Sequence, residues 1–193
     1  MSKVFTPLVL ALCLGGCMTL PGADLPTTSR YTLMGPEASC EAGSGNTLVL
    51  SVARVNAGLD TERIARRNAR TGEIAYLKDV RWADQAGTLV EQRLAQDLEC
   101  RGLTVLSSHH HKLGQRQLIC EVRALNLVEH SNRDEAEVGL SCLLYRTGGD
   151  PDKPFVSTHT STLTNWSATS AVAAVSRAYQ AVLADLLDVL GEG

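Results

Sequence analysis

The chain has 193 residues, with 18 basic against 21 acidic side chains, a formal charge of −3 and 44% apolar residues. Mild acidity argues against nucleic acid as a partner, because that ligand demands clustered Lys and Arg. Aromatic residues make up only 4%, which argues against a ligand cage of stacked rings.

The chain starts with Lys3, an apolar run from Val4 to Leu14, and then Leu14-Gly15-Gly16-Cys17. A charged start, a short apolar stretch and small residues at a cleavage point mark a secretory signal. The cysteine just after that point resembles a bacterial lipobox, in which the thiol of Cys17 is diacylated and becomes the first residue of the mature chain. Cys13 is a poor rival, since Leu12 before it is too large for the signal peptidase pocket. The apolar run is also too short to span a bilayer, which needs about 20 such residues.

This divides the chain into a signal peptide over 1–16, a lipidated tether over 17–29 and a single α+β domain over 30–193. Loss of Lys3 with the signal leaves 17 basic and 21 acidic residues, a formal charge of −4. The remaining 177 residues are enough for one domain with its own core. Met18 follows the lipidated cysteine where enteric-type sorting places an aspartate for inner-membrane retention. The expectation is therefore the periplasmic face of the outer membrane.

Met18 to Ser29 carries Pro21, Gly22 and Pro26 without periodicity and reads as the tether. Tyr31-Thr32-Leu33 is a short first strand, followed by a loop through Gly43-Ser44-Gly45-Asn46. Thr47 to Val55 is a strong strand. Leu48, Leu50 and Val52 share one face, with Val49, Ala53 and Val55 on the other. Apolar residues on both sides indicate a central position. Ile64 to Asn68 and Glu73 to Lys78 form a hairpin around Thr71-Gly72, with Ile74 and Tyr76 on one face of its second arm.

Asp84 can cap the helix that follows. Ala86, Leu89, Val90, Leu94 and Leu98 form its apolar stripe, and Gly102 closes it. Leu103 to Ser107 is a short strand and His109 to Gln117 a polar loop. Leu118 to Val128 and Val138 to Tyr145 are strands flanking the charged turn Ser131 to Glu135. Leu118, Cys120, Val122 and Ala124 point inward on the first, and Leu140, Cys142 and Leu144 on the second. Phe155 to Asn165 supplies a threonine-rich last strand. Ser167 to Leu190 is a helix whose stripe of Val172, Val175, Tyr179, Val182, Leu186 and Leu190 suits packing on a sheet. The order predicts an α+β layer: one largely antiparallel sheet with two amphipathic helices packed on a face.

Beyond Cys13 and Cys17 lie Cys40, Cys100, Cys120 and Cys142, in a compartment that permits disulfides. Four cysteines allow three connectivities, among which sequence does not choose. Cys120 and Cys142 sit in apolar strands as small core residues. Cys40 and Cys100 are the more accessible pair and the candidate bridge.

Catalytic signatures are missing: the chain has no P-loop, no G-x-G-x-x-G after a strand, no G-x-S-x-G elbow and no H-E-x-x-H. His109, His110 and His111 are adjacent, so their side chains diverge instead of converging on one ion. No catalytic residue, metal site or cofactor is expected, apart from the covalent diacylglycerol and N-acyl chain on Cys17. Asn165-Trp166-Ser167 matches a glycosylation sequon, which means little behind a bacterial lipobox. Between Arg54 and Arg81 lie seven basic residues against four acidic ones. They form either a solvated hairpin surface or a patch for anionic headgroups or an acidic partner.

The segments together resemble the ABC-type transport auxiliary lipoproteins, a PqiC-like family. The resemblance rests on the lipobox at Leu14–Cys17 and the strand Arg30-Tyr31-Thr32-Leu33. It continues through Leu48 to Val55 running into Gly58-Leu59-Asp60, Ile64-Ala65-Arg66-Arg67, Ile74-Ala75-Tyr76 and Asp79 to Asp84. Cys40, Cys100, the histidine loop and Ala57 depart from the pattern. The resemblance implies a non-enzymatic envelope protein in a system with an ATPase, a permease and an MCE-domain protein that moves lipids between membranes. It also implies a membrane-anchored domain docking the periplasmic MCE protein, with Leu59, Arg66, Arg67, Tyr76, Arg81 and Trp82 as candidate partner-facing residues. Trp82 has a second role open to it, anchoring the start of the helix. A homo-oligomer stays open. So do an envelope scaffold or regulator, such as a cell-wall synthase activator or a TolB-like adaptor, and a periplasmic metal binder or enzyme using His109–His111 or a free thiol.

Overall fold

The computed structural model describes residues 28–35, 47–107, 115–145 and 154–191. Eight strands and two helices follow in the order β1 (Ser29–Tyr31), β2 (Thr47–Val55), β3 (Arg63–Asn68), β4 (Ile74–Trp82), α1 (Ala86–Glu99), β5 (Thr104–Ser107), β6 (Arg116–Glu129), β7 (Glu135–Tyr145), β8 (Phe155–Thr162) and α2 (Ala168–Gly191). The fold is α+β, as the element order predicts.

One long strand organises the sheet. β6 runs 14 residues, and its two edges are used differently. One edge carries the antiparallel neighbour β7, which in turn pairs β8. The other edge is shared: β2 lies parallel along Leu48–Val55, and β3 lies parallel beyond it, from Ala65 opposite Asn126. The sheet therefore forks. β5 extends the β2 branch in parallel, while β4 pairs β3 antiparallel and β1 closes that branch parallel to β4. Antiparallel ladders carry the longest pairings, and four shorter pairings are parallel.

Among the described residues the pairings carry three register shifts, one of them between Arg63 and Ala65 where β3 meets β4, and the other two alter the alternation of faces around β6. One lies between Val52 and Arg54 on β2, the other between Val122 and Ala124 on β6. A bulge adds one residue to one strand, so parity reverses beyond it. Val55 consequently packs on the same core as Leu48, Leu50 and Val52, not on the opposite face expected from strict alternation. On β6 the core side runs Leu118, Cys120, Val122 and then Leu125 and Leu127. Ala124, expected inward, turns to the other face beside Gly139.

Both helices cover one face. α1 lies over the β2–β5 branch and α2 over β7 and β8. The stripe of α1 is buried as expected. Its start differs: Gln85 occupies the cap position with no side-chain cap, and Asp84 Oδ1 accepts only the adjacent Gln85 N–H at 2.7 Å. Gly102 closes α1 at φ +85°. Its N–H donates to Glu99 O and that of Leu103 to Leu98 O, at 2.9 and 3.3 Å. These are the paired bonds of a Schellman closure, which the absence of a Cβ permits at positive φ. α2 begins where Ser167 Oγ accepts the Ser170 N–H at 3.2 Å, an N-cap. Trp82 and Tyr179 are the two largest fully buried side chains. Full burial of one apolar side chain stabilises by about 1.5–3 kcal/mol.

Where the helices meet, one polar cluster is buried. Arg93 and Asp97 pair one turn apart on α1, with Arg93 Nε donating to Asp97 Oδ2 at 3.0 Å. Tyr179 of α2 donates its hydroxyl to the same oxygen at 3.0 Å. Burial, then the Asp97 charge and hydrogen bond, push the Tyr179 phenol well above its usual pKa, against an opposing pull from Arg93. The segment after β1 joins this cluster. Met34 donates its N–H to Ser176 Oγ at 2.9 Å, and the guanidinium of Arg93 lies against Gly35, where any Cβ would collide with it.

Candidate functional site

With both helices on one side, the other face of the sheet is uncovered among the described residues. Strand parity decides what it displays. Tyr31, Trp82 and Ile64 belong to the core side, so their neighbours Arg30, Arg81 and Arg63 project to the open side. The shift on β2 sends Arg54 the same way. Arg67 on β3 reaches Glu137 of β7, Nη2 to Oε2 at 2.7 Å. Arg123 lies 3.4 Å from Glu121. The face is therefore arginine-rich, with some of its charge answered by neighbouring glutamates.

Where β2 and β3 part, the open face holds a groove of about 290 Å³, lined by Leu59, Ala65, Arg67, Ile74, Asn126 and Thr158 among others. Its floor is close-packed: a Cβ on Gly139 would stand 2.9 Å from Thr158 Oγ1 and 3.5 Å from Ala124 Cβ. Its rim carries Ile74, an apolar side chain 43% exposed. The loop between β2 and β3 is pinned from above. Asn56 O accepts the Leu59 N–H at 2.7 Å, Asn56 Oδ1 accepts the Gly58 N–H at 3.1 Å, and the Tyr76 hydroxyl donates to Gly58 O at 3.1 Å. The groove is of mixed character, Leu59 and Ile74 standing among Asn56, Arg67, Arg123, Asn126 and Glu137, with its loop held in place by hydrogen bonds.

The six candidate partner-facing residues separate on this geometry. Arg67 lies in the groove, Leu59 is mostly buried beneath its rim, and Tyr76 supports the loop. Arg81 is exposed on the same face, 3.8 Å from Glu62. Arg66 points to the helix side, over the Trp166 ring at 5.4 Å and 3.6 Å from Glu129. Trp82 is 1% exposed in the core, so it acts as the helix-start anchor and presents nothing to a partner. Ile74, Arg54, Arg63 and Arg123 also lie on this face. The alternation Ile74 shares with Tyr76 marks it in the sequence, while the direction of Arg54 depends on the bulge between Val52 and Arg54.

No catalytic constellation assembles among the described residues, and no group of three His, Cys, Asp or Glu side chains could hold a metal ion there. Ser157, His159 and Asp185 do meet on the helix side. Ser157 Oγ donates to Asp185 Oδ2 at 2.5 Å, and His159 Nε2 lies 2.8 Å from the same oxygen. In a nucleophilic triad the imidazole stands between serine and carboxylate. Here the carboxylate stands between the other two, so the imidazole cannot take the serine proton. The hydrogen bond from Ser157, and then that with His159, hold the Asp185 carboxyl below its usual pKa. The trio ties β8 to α2. His109–His111 lie outside the described residues.

Cys120 and Cys142 are joined by a disulfide, so they are more than the small core residues expected of them. They stand directly opposite one another in the β6–β7 ladder. Counted from the Val128–Glu135 pair that closes the turn, they lie eight and seven residues along their strands, the difference being the residue the β6 bulge adds. Cys100 is also disulfide-bonded. Its expected partner Cys40 lies outside the described residues.

The described residues form a two-layer α+β domain with one face covered by helices and one left open. A family model described as the ABC-type transport auxiliary lipoprotein component matches residues 31–187. The chain belongs to this family. No curated protein matches it. Among solved structures, protein XCC0632 from Xanthomonas campestris aligns at 15% identity and TM-score 0.64 over 83% of this chain and 90% of that one. A structure titled only as an uncharacterized protein aligns at 14% and 0.68, over 85% and 99%. The hypothetical protein CT253 from Chlamydia trachomatis aligns at 6% and 0.51, over 76% and 96%. At these identities the likeness shows a shared fold. No described helix is long and apolar enough to cross a membrane.

Proposed function

We propose that this lipoprotein is the non-catalytic auxiliary of an ABC/MCE-type system that moves phospholipid between membranes. It is held by acyl chains on Cys17 at the periplasmic face of the outer membrane and docks the periplasmic MCE-domain protein there. The observation that carries the reading is the uncovered, groove-bearing face of a sheet whose other side is sealed. Membership of a transport auxiliary family supplies the system, and the lipobox supplies the anchor. A hydrophobic cargo crossing an aqueous compartment needs a continuous protein path, because each exposed methylene costs about 0.8 kcal/mol. A docking protein fixed at the receiving membrane provides one end of that path without catalytic residues.

The test is binding of the purified full chain to the purified MCE-domain protein of the same transport system. Ile74→Asp places a charge on the apolar rim of the groove and is expected to weaken binding at least tenfold, consistent with the roughly 1.4 kcal/mol a modest hot spot contributes. Val189→Asp, on an exposed position of α2, is expected to leave it unchanged. Equal binding by both variants would remove the groove from the interface, and no binding by the parent chain would remove the docking role.

A further inference from the structure

Three arginines stand side by side at one end of the open face. Arg30 of β1 is the direct ladder partner of Arg81 of β4, and Arg81 is in turn the partner of Arg63 of β3. Like charges directly opposite one another across a ladder are destabilising. The structure relieves this only in part. Glu62 answers two of the three, 3.2 Å from Arg30 and 3.8 Å from Arg81. Arg63 instead stacks over Tyr76, its Cζ 4.1 Å from the ring centroid. All three remain exposed to solvent. Beside them Lys78 and Asp79 line a cleft of about 280 Å³ together with Thr28, Arg63 and Arg81. The patch thus holds four cations against two anions, a local surplus of positive charge on a chain whose formal charge is −3.

The position of this patch in the chain gives the surplus a meaning. Thr28 is the first described residue, and β1 follows it directly. On the lipobox reading, on which this inference rests, the acylated Cys17 is joined to β1 by Met18–Thr28. Eleven residues span at most about 40 Å even when fully extended. The arginine row is therefore the part of the folded domain bound closest, along the chain, to the bilayer.

We infer that the Arg30–Arg81–Arg63 row, with Lys78, is a docking surface for the anionic phospholipid headgroups of the membrane that holds the anchor. It turns the β1–β4 edge toward the bilayer and leaves the groove at the sheet fork free for a protein partner. The tether confines the domain near the surface, and the row selects its orientation. The several acyl chains expected on Cys17 already hold the protein to the membrane, so the row contributes orientation, each Lys or Arg near an anionic surface adding about 1 kcal/mol.

The test is flotation of the full mature chain carrying Cys17→Ala, so that no acyl chain contributes. The vesicles are phosphatidylcholine alone or phosphatidylcholine with phosphatidylglycerol as about a third of the lipid, at low salt. Retention is expected on the anionic vesicles only. Each arginine replaced by Gln at 30, 63 or 81 is expected to lower retention about fivefold. Glu62→Gln, which frees Arg30 and Arg81 from their counter-charge, is expected to raise it by a similar factor. Arg101→Gln with Arg133→Gln, on exposed positions outside the row, is expected to change it less than about twofold. Equal retention on both vesicle types would overturn the inference. So would an unaffected Arg30→Gln/Arg63→Gln/Arg81→Gln chain, or a Glu62→Gln chain with no gain. Failure to bind vesicles together with arginine-dependent binding to soluble polyglutamate would assign the row to an acidic protein instead. Ile74→Asn, a neutral change on the groove rim, is expected to keep vesicle retention within about twofold of the parent while weakening capture of the MCE-domain protein, which separates this inference from the docking reading.

Discussion

Buried charge makes Arg93, Asp97 and Tyr179 the residues least tolerant of change. Removing one partner of a buried pair leaves an uncompensated ion and costs about 3–5 kcal/mol. Arg93→Met is expected to lose that much in urea unfolding, since Asp97 is 5% exposed and would be left without its ion-pair partner. Tyr179→Phe removes one donor from the same carboxylate and is expected to cost about 1–3 kcal/mol. Asp185 behaves differently because it is exposed. Its carboxyl titrates below the ordinary value in the folded chain, so its bonds to Ser157 and His159 are fully formed above the unfolded pKa of about 3.9. They are lost as pH falls through the lowered folded value. The melting-temperature gap between the parent and Asp185→Asn is therefore expected to be widest near neutral pH and to close below about pH 4. An unchanged gap in acid would contradict the assignment.

The elements depend on close approach as much as on hydrophobic stripes. Gly87, in the first turn of α1, lets the helix settle on β2: a Cβ there would stand 2.9 Å from Val55 Cγ2. Gly87→Leu is expected to wedge α1 away from the sheet and cost about 1–3 kcal/mol in chemical denaturation. The β6–β7 ladder has a covalent tie at Cys120–Cys142, closing a loop of sequence separation 22. Removing it by Cys120→Ala with Cys142→Ala is expected to lower stability by about 2–4 kcal/mol, read as a shift in the urea midpoint. Most of these elements were legible in the sequence. The α1 stripe, the β3–β4 hairpin at Gly72 and the long α2 all follow from period and turn residues. The bulges on β2 and β6 were not, because neither carries a glycine or proline to mark it. Each one reassigned a residue, Val55 to the core and Ala124 out of it.

For the whole molecule the decisive asymmetry is one sealed face against one open face. On the lipobox reading the acyl chains hold the protein where salt screens the arginine row, so Cys17→Ala is expected to release it from membranes washed at high salt while leaving its melting temperature unchanged. Fractionation and thermal denaturation of the same preparation check both halves of that expectation. A Cys17→Ala chain that stayed membrane-bound at high salt would draw its attachment from neither the acyl chains nor the arginine row.

The sequence by itself determined the α+β class, the two helices and the family pattern, because each rests on local spacing, a period of two or a period near four, and the lipobox expectation rests likewise on small residues before a cysteine. It also placed a run of basic residues between Arg54 and Arg81. Only the tertiary structure decided what that run does. Arg66 turned to the helix side over Trp166 while staying partly exposed, Trp82 went into the core, and Arg30, Arg63 and Arg81 came into register on three neighbouring strands. The physical reason is that strand order and register are set by non-local burial. Parallel pairing of β1 with β4, and of β2 and β3 with one strand β6, leaves no mark in local spacing, yet it fixes which side chains share a surface.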